Sequence, residues 1–291
     1  MKTRREFLSL AAGAAGAIYL ANATTLHGAE ERNLRASWKV GITDWDIRTT
    51  GRLESFTIAK ELGYEGVQVS YQPEGPDSLA DKANRPRFLA AAKETEVAIA
   101  SFCIGQLNGK PLATTPEAEG WVADCLEAMD EMNVPQVLIP FFGNGDLDTQ
   151  ESRQYMPVII DKFKRLAAIA ERKKKILAIE STLSAEAHIG LIAAIGSDAV
   201  KVYYDTLNTR NKGFDIYHEI DLLGSKKLIS EIHFKEGGAR LGDGGIDFAK
   251  VCSLLEKHGF EGWIVVEGSV TGDWKESHTA NAQFIKRLLG R

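Results

Sequence analysis

Cysteine is nearly missing from this chain. Cys103, Cys125 and Cys252 stand far apart among 291 residues, and no C-x-x-C pair exists. That excludes a disulfide framework and a cysteine zinc clip, and leaves buried apolar thiols as the expectation. An excess of basic charge is missing too. The formal net charge is −5, and residues 1 to 29 contribute +2 through Lys2, Arg4 and Arg5 against Glu6, so a chain beginning at Glu30 stands at −7. Nucleic-acid binding of a broad kind needs a basic surface for the phosphates, so no nucleic-acid partner is expected. After residue 30 there is no low-complexity tract, no linker rich in Pro or Ser, and no fixed-period repeat beyond a strand-helix rhythm. With 44% hydrophobic and 26% charged residues, the composition fits one large soluble α/β domain.

Long hydrophobic runs are confined to the start. Thr3-Arg4-Arg5-Glu6-Phe7-Leu8 leads into an Ala-rich apolar run from Leu8 to Leu20, then the small-residue site Ala21-Asn22-Ala23. The run is shorter than the roughly 20 residues that span a bilayer. Charged segment, short apolar core and A-x-A site in that order read as a removable bacterial export signal over residues 1–29, cleaved after Ala23 or Ala29. The paired arginines resemble the twin-arginine type, which implies the twin-arginine export machinery as a partner and a periplasmic or otherwise exported location. The domain proper is expected over residues 30–291.

From Trp38 onward, short β-branched runs alternate with longer helical patterns. Eight strands are predicted, near 38–43, 65–70, 97–103, 135–141, 176–180, 200–205, 228–235 and 263–267. Eight such units close a TIM barrel, so a single-domain (β/α)8 barrel is the predicted fold. The clearest helix is predicted over about 150–173, where Tyr155, Val158, Ile159, Phe163, Leu166, Ala167 and Ala170 recur every three or four residues. Its terminal Arg172-Lys173-Lys174-Lys175 is read as a solvated last turn favoured by the helix dipole.

Four of the later strands end on residues that bind metal well: Ala178-Ile179-Glu180, Tyr203-Tyr204-Asp205, Glu231-Ile232-His233 and Val265-Val266-Glu267. Successive candidates lie 25, 28 and 34 positions apart, about one strand-plus-helix unit of roughly 30 residues. The period of two within a strand turns Glu180, Asp205, Glu231, His233, Lys235 and Glu267 toward the barrel interior, with Gln68 and Ser70 on the second strand. Polar groups on that concealed face are costly unless paired or coordinated. Three converging carboxylates repel, and a divalent cation relieves the conflict. Two Glu, one Asp and one His form a hard donor set suited to one Mn²⁺, Mg²⁺, Co²⁺ or Zn²⁺ and poorly matched to copper.

In these motifs the chain from about Trp38 to its end resembles the sugar phosphate isomerase/epimerase superfamily, the xylose isomerase-like TIM barrels. The stretches that carry the likeness are Ile179-Glu180, Tyr204-Asp205-Thr206-Leu207-Asn208, Ile232-His233-Phe234-Lys235-Glu236, Leu241-Gly242-Asp243-Gly244-Gly245-Ile246-Asp247-Phe248 and Gly262-Trp263-Ile264-Val265-Val266-Glu267. The resemblance implies metal ligation by Glu180, Asp205, His233 and Glu267, with Glu180 and Glu267 also moving protons. Such a site would acidify the C–H between a carbonyl and a hydroxyl and pass through an enediolate, which gives a metal-dependent isomerase or epimerase on a non-phosphorylated sugar or keto-sugar. An inosose dehydratase-like lyase on a sugar or polyol and a catalytically silent sugar-binding barrel are the alternatives.

Asn208 stands where ketose-epimerase relatives usually present a histidine, so it is a candidate substrate contact of a different kind. Lys235, facing the cavity, is expected to neutralise an oxyanion or to hold a hydroxyl. Arg240, Trp45 and Gln68 complete the expected substrate contacts; for Phe102, at the end of the third strand, core packing is the default reading and an apolar wall against a sugar ring the alternative. The Gly242–Gly245 run is expected to turn into Asp247 as a helix N-cap. His27, His188, His218, His258 and His278 lack partners at ligand spacing and are read as non-catalytic. The residues leave homo-oligomerisation open.

Overall fold

The structure, a computed structural model, describes residues 34–291. The export signal expected over 1–29 lies outside the described residues. Among the described residues, eight parallel strands close on themselves in chain order. They are β1 Lys39–Thr43, β2 Gly66–Ser70, β3 Ala98–Cys103, β4 Gln136–Phe141, β5 Ile176–Ser181, β6 Val200–Asp205, β7 Ile229–Phe234 and β8 Trp263–Val266. Closure comes from β8 pairing with β1, with Gly41 opposite Val265. The α-helices are α1 Leu34–Ser37, α2 Glu54–Leu62, α3 Arg85–Thr95, α4 Ala118–Glu131, α5 Met156–Lys173, α6 Ala185–Ile195, α7 Thr206–Asn211, α8 Ile216–Ser225, α9 Phe248–Lys257 and α10 Trp274–Leu288. The predicted strand bounds hold to within a residue.

Helix boundaries follow local chemistry. Ser184, Asp215, Asp247 and Asp273 cap α6, α8, α9 and α10 by accepting backbone N–H groups, as expected for Asp247. The long helix predicted from about 150 begins at Met156 instead. Pro157 in its first turn leaves Ser152–Tyr155 as a separate 3₁₀ turn. Its basic end is only partly solvated: Lys173 reaches Glu127 and Asp130, each at 3.0 Å, and Lys175 is buried.

Most apolar burial lies between barrel and helices, in one cluster running from Trp38 to Leu289. The barrel interior holds two small clusters. Its lower one is Trp263 with Val265 and Ala100, and glycine makes room for the indole: a Cβ on Gly66 would sit 2.4 Å from the ring. Two bulges reset the strand faces. Ala100 in β3 and Ser230 in β7 have no partner across the ladder, because Val67 and Gln68 pair with Ile99 and Ser101, and Val202 and Tyr203 with Ile229 and Glu231. All three cysteines are free and buried, as their spacing suggested. Among the described residues no helix is long and apolar enough to cross a membrane.

Candidate metal centre

The strand ends bring Glu180, Asp205, His233 and Glu267 together. One donor atom from each lies within 4.8 Å of every other. The imidazole Nδ1 of His233 stands 3.3 Å from Glu180 Oε1, 3.5 Å from Glu267 Oε2 and 3.7 Å from Asp205 Oδ2. All but Glu267 are buried. Asp205 divides its labour: Oδ1 accepts the Asn208 backbone N–H at 2.6 Å and caps α7, while Oδ2 is buried without a hydrogen-bond partner. A buried carboxylate oxygen left bare and aimed at two other carboxylates and a ring nitrogen is what a cation would satisfy. With all three carboxyls ionised and His233 neutral, the state a cation would bind, the quartet and Lys235 together carry −2, which one divalent ion would balance. The residues fit such an ion.

Lys235 answers part of that charge already. Its Nζ donates to Glu267 Oε2 at 2.6 Å and lies 3.6 Å from Asp205 Oδ2. Burial alone would depress the Lys235 ammonium, but Asp205 and Glu267 hold it well above the usual lysine range. Burial would likewise raise Glu267, yet His233 and Lys235 together pull it well below the carboxylate range. Asp205 goes the other way: burial lifts it far up, only partly offset by Lys235, with Glu267 and Glu180 adding to the rise. Burial lowers His233, and the carboxylates of Glu267, Glu180 and Asp205 more than offset this, holding the imidazole at about 9.

Neighbouring turns fix the frame. Asp46 accepts from Thr43 Oγ1 at 2.9 Å and from the Gly268 N–H at 2.6 Å, tying the end of β8 to β1. Glu236 accepts the backbone N–H groups of Gly242, Gly245 and Ile246 at 2.7 to 3.0 Å, so the expected glycine turn is wound around a buried carboxylate. A Cβ on Gly244 would stand 2.2 Å from that carboxylate oxygen, which explains the glycine.

A sequence profile described as the xylose isomerase-like TIM barrel matches residues 56–288. The chain belongs to this family. The 2-epi-5-epi-valiolone 7-phosphate 2-epimerase of Actinoplanes sp. is 26% identical over 186 residues, a stretch covering 61% of this chain and 65% of that relative, just under two thirds of its length. The apo 3-keto-D-glucoside 4-epimerase of E. coli has a TM-score of 0.71 at 16% identity, covering 86% of this chain and 99% of that one. D-Psicose 3-epimerase with D-tagatose, from Clostridium cellulolyticum H10, has a TM-score of 0.71 at 14% identity with coverages of 86% and 99%. At these identities the structural likeness is one of fold.

In this xylose isomerase-like barrel a cavity of about 460 Å³ opens above the quartet, lined among others by Trp45, Glu180, Asn208, Lys235 and Glu267. Trp45 Nε1 donates to Glu267 Oε1 at 3.3 Å, and its ring meets His233 edge-on with centroids 6.3 Å apart. Asn208 Nδ2 donates to Glu180 Oε1 at 3.3 Å. Two expectations need correction. Gln68 faces inward but lies beneath His233, fully buried, and does not line the cavity. Arg240 turns to α10, donating to Ser277 Oγ at 3.2 Å and standing 3.6 Å from Glu276 Oε2, so it is absent from the cavity wall. Phe102 is core, as its default reading had it: it packs outside the barrel against Tyr71, because the bulge at Ala100 reverses the parity and gives the place on the wall to Cys103.

Thr50, Gln72, Gln106 and Asn108 also line the cavity. Thr50 and Gln72 sit on irregular segments after β1 and β2, and Gln106 and Asn108 in the one-turn 3₁₀ helix Gly105–Asn108 after β3, too short for periodicity to mark an inward face. Among the remaining described histidines, His188 is buried against Ser181 Oγ at 2.9 Å and His258 meets Asp221 at 2.7 Å. Neither they nor His218 and His278 join the quartet.

Proposed function

We propose that this barrel is a divalent-metal-dependent isomerase or epimerase acting on a non-phosphorylated keto-sugar or oxidised sugar derivative. The observation that carries the reading is the convergence of Glu180, Asp205, His233 and Glu267 within 4.8 Å at the floor of a cavity that both glutamates line. The names of the relatives support the epimerase part of it, since all three are epimerases, although the valiolone relative is named for a phosphorylated substrate. The same four side chains would hold Mn²⁺, Mg²⁺, Co²⁺ or Zn²⁺, which when bound supplies positive charge to a substrate carbonyl and its neighbouring hydroxyl.

The chain's own residues do the rest. Glu180 and Glu267 reach in from β5 and β8, so one carboxylate removes the proton between carbonyl and hydroxyl and the other returns one to the opposite face. Return to the neighbouring carbon from the same side gives isomerisation instead. Lys235 stands where enediolate charge develops beside Glu267 and stabilises it by fixed positive charge. The distal wall offers neutral Thr50, Gln72, Gln106 and Asn108. Among the described residues lining the cavity Lys235 is the one cation, already paired with Glu267 and Asp205, so a phosphate would lack a counter-charge. Trp45 supplies an apolar face for a sugar ring. Residues 1–29 stay proposed as a twin-arginine-type export signal, a location that suits a free sugar, and that support is the order of residues alone.

The test is incubation of the purified protein with Mn²⁺ in heavy water against a panel of keto-sugars and inosose, followed by NMR. Deuterium is expected at the carbon next to the carbonyl, with inversion there or movement of the carbonyl. Full activity after chelation would remove the metal from the account, and a dehydrated product would make the protein a lyase.

A further inference from the structure

Below the four candidate ligands lies a second polar layer that the proton transfer does not use. Glu231 on β7 is completely buried, and its Oε2 accepts from the side-chain amide of Gln136 on β4. The Ser101 and Tyr203 hydroxyls face the same carboxyl and work against the rise that burial imposes, although neither closes a well-aligned bond to Oε1. Above it, Gln68 Nε2 donates to Ser101 Oγ at 2.9 Å, and Gln68 Oε1 stands 2.9 Å from His233 Nε2. Gln68, Ser101, Glu231 and His233 are all fully buried, so bulk solvent does not reach them.

An imidazole, an amide and a hydroxyl in series have two ways to order their hydrogens. In one, His233 Nε2–H donates to Gln68, Gln68 donates to Ser101, and Ser101 donates down to Glu231. In the other every bond reverses, and a bare His233 Nε2 accepts from Gln68. The placement of the Gln68 amide decides between them. Its Nε2 is the atom 2.9 Å from Ser101 Oγ and its Oε1 the atom turned to His233 Nε2, while Glu231 below has three donors around it and no Lys or Arg paired with it. Glu231 takes the Ser101 hydrogen, which leaves Ser101 with lone pairs for the Gln68 amide and turns the Gln68 oxygen to His233. The ring hydrogen is thereby kept on Nε2, and Nδ1 presents a lone pair to Glu180, Asp205 and Glu267. The reverse order would put a hydrogen in the centre of the site and block a cation.

We infer that Gln68, Ser101 and Glu231 are positioning residues that fix the tautomer of His233 and thereby set the cation affinity of the site. The inference rests on the metal reading of the quartet. A metal-bound histidine commonly gives its second N–H to a carboxylate. Here the carboxylate acts at a distance, through an amide and a hydroxyl, which accounts for a buried Glu231 with no ion partner.

Glu231→Gln keeps the shape and replaces one oxygen by an NH₂. Gln136 claims the remaining oxygen, so the new NH₂ faces Ser101 and drives the series backwards. The probe is protein labelled with ¹⁵N-histidine and stripped of metal, read by NMR across a pH series and compared where the wild-type and variant rings are neutral. The wild type is expected to carry hydrogen on Nε2 and Glu231→Gln on Nδ1. Calorimetric Mn²⁺ titration is expected to show about 10- to 100-fold weaker binding in Glu231→Gln. Gln68→Met, close in volume but without an acceptor, is expected to show both tautomers and a loss in the same range. Wild-type His233 carrying its hydrogen on Nδ1 overturns the inference whether or not the variants fold. So do variants that keep the Nε2 hydrogen and bind Mn²⁺ as the wild type does. Failure of the metal reading is separate and visible in the wild type alone, as no Mn²⁺ uptake.

Discussion

Raising the pH from 7 to 9 should tighten Mn²⁺ binding by at least about 100-fold. In the metal-free protein the surrounding carboxylates hold the His233 imidazole at about 9, against an ordinary 6.5. A cation needs the bare nitrogen, so binding at neutral pH must expel at least that proton. Below 9, His233 alone then adds about tenfold per pH unit, or about 2.7 kcal/mol over two units, and the lifted Asp205 carboxyl adds to it. The stability of the chelated protein should move oppositely. A raised histidine stabilises the fold fully below about 6.5, and that contribution, about 3 kcal/mol, is lost as pH rises through 9. Asp205 has the same sign at lower pH, because its lifted carboxyl keeps a proton in the folded state that the unfolded chain has released. Titration calorimetry in two buffers of different ionisation enthalpy counts the protons, and melts with and without chelator follow stability. Equal affinity at pH 7 and 9, with no proton released, would refute the reasoning.

Glu180→Gln and Glu267→Gln are each expected to abolish deuterium exchange into substrate while circular dichroism and melting stay near wild type. Exchange at an undiminished rate in either variant removes that residue from proton transfer. Lys235→Met is expected to lower kcat by about 10²- to 10³-fold, the usual scale for loss of one charge-stabilising donor, with Mn²⁺ still bound. A change in KM alone would assign Lys235 to binding only. In the barrel floor, Gly66→Ala drives a methyl to within 2.4 Å of the Trp263 ring and is expected to cost about 1–3 kcal/mol in chemical unfolding. Stability equal to wild type would mean that the indole has room to move.

The barrel and the quartet were legible because both rest on periodicity. Runs of β-branched residues at regular spacing marked all eight strands, and alternation within them placed Glu180, Asp205, His233 and Glu267 on one interior face. Alternation gives a face, however, and says nothing of depth. Gln68 faces inward as expected, yet lies one layer below the cavity and holds His233. Parity also fails wherever a bulge intervenes, so Ala100 sends Phe102 outward and Cys103 inward. The distal wall was invisible for another reason. Thr50, Gln72, Gln106 and Asn108 stand on loops or in a one-turn 3₁₀ helix, where the direction of a side chain is set by contacts distant in sequence. Arg240 failed likewise, since Ser277 and Glu276 on α10 draw it away from the cavity.

The central claim is one cation shared by four side chains, and anomalous diffraction from a Mn²⁺-soaked crystal addresses it directly. A single strong peak is expected about 2.0–2.3 Å from an oxygen each of Glu180, Asp205 and Glu267 and from Nδ1 of His233. A crystal with no peak there, or with manganese bound only elsewhere, would contradict the account.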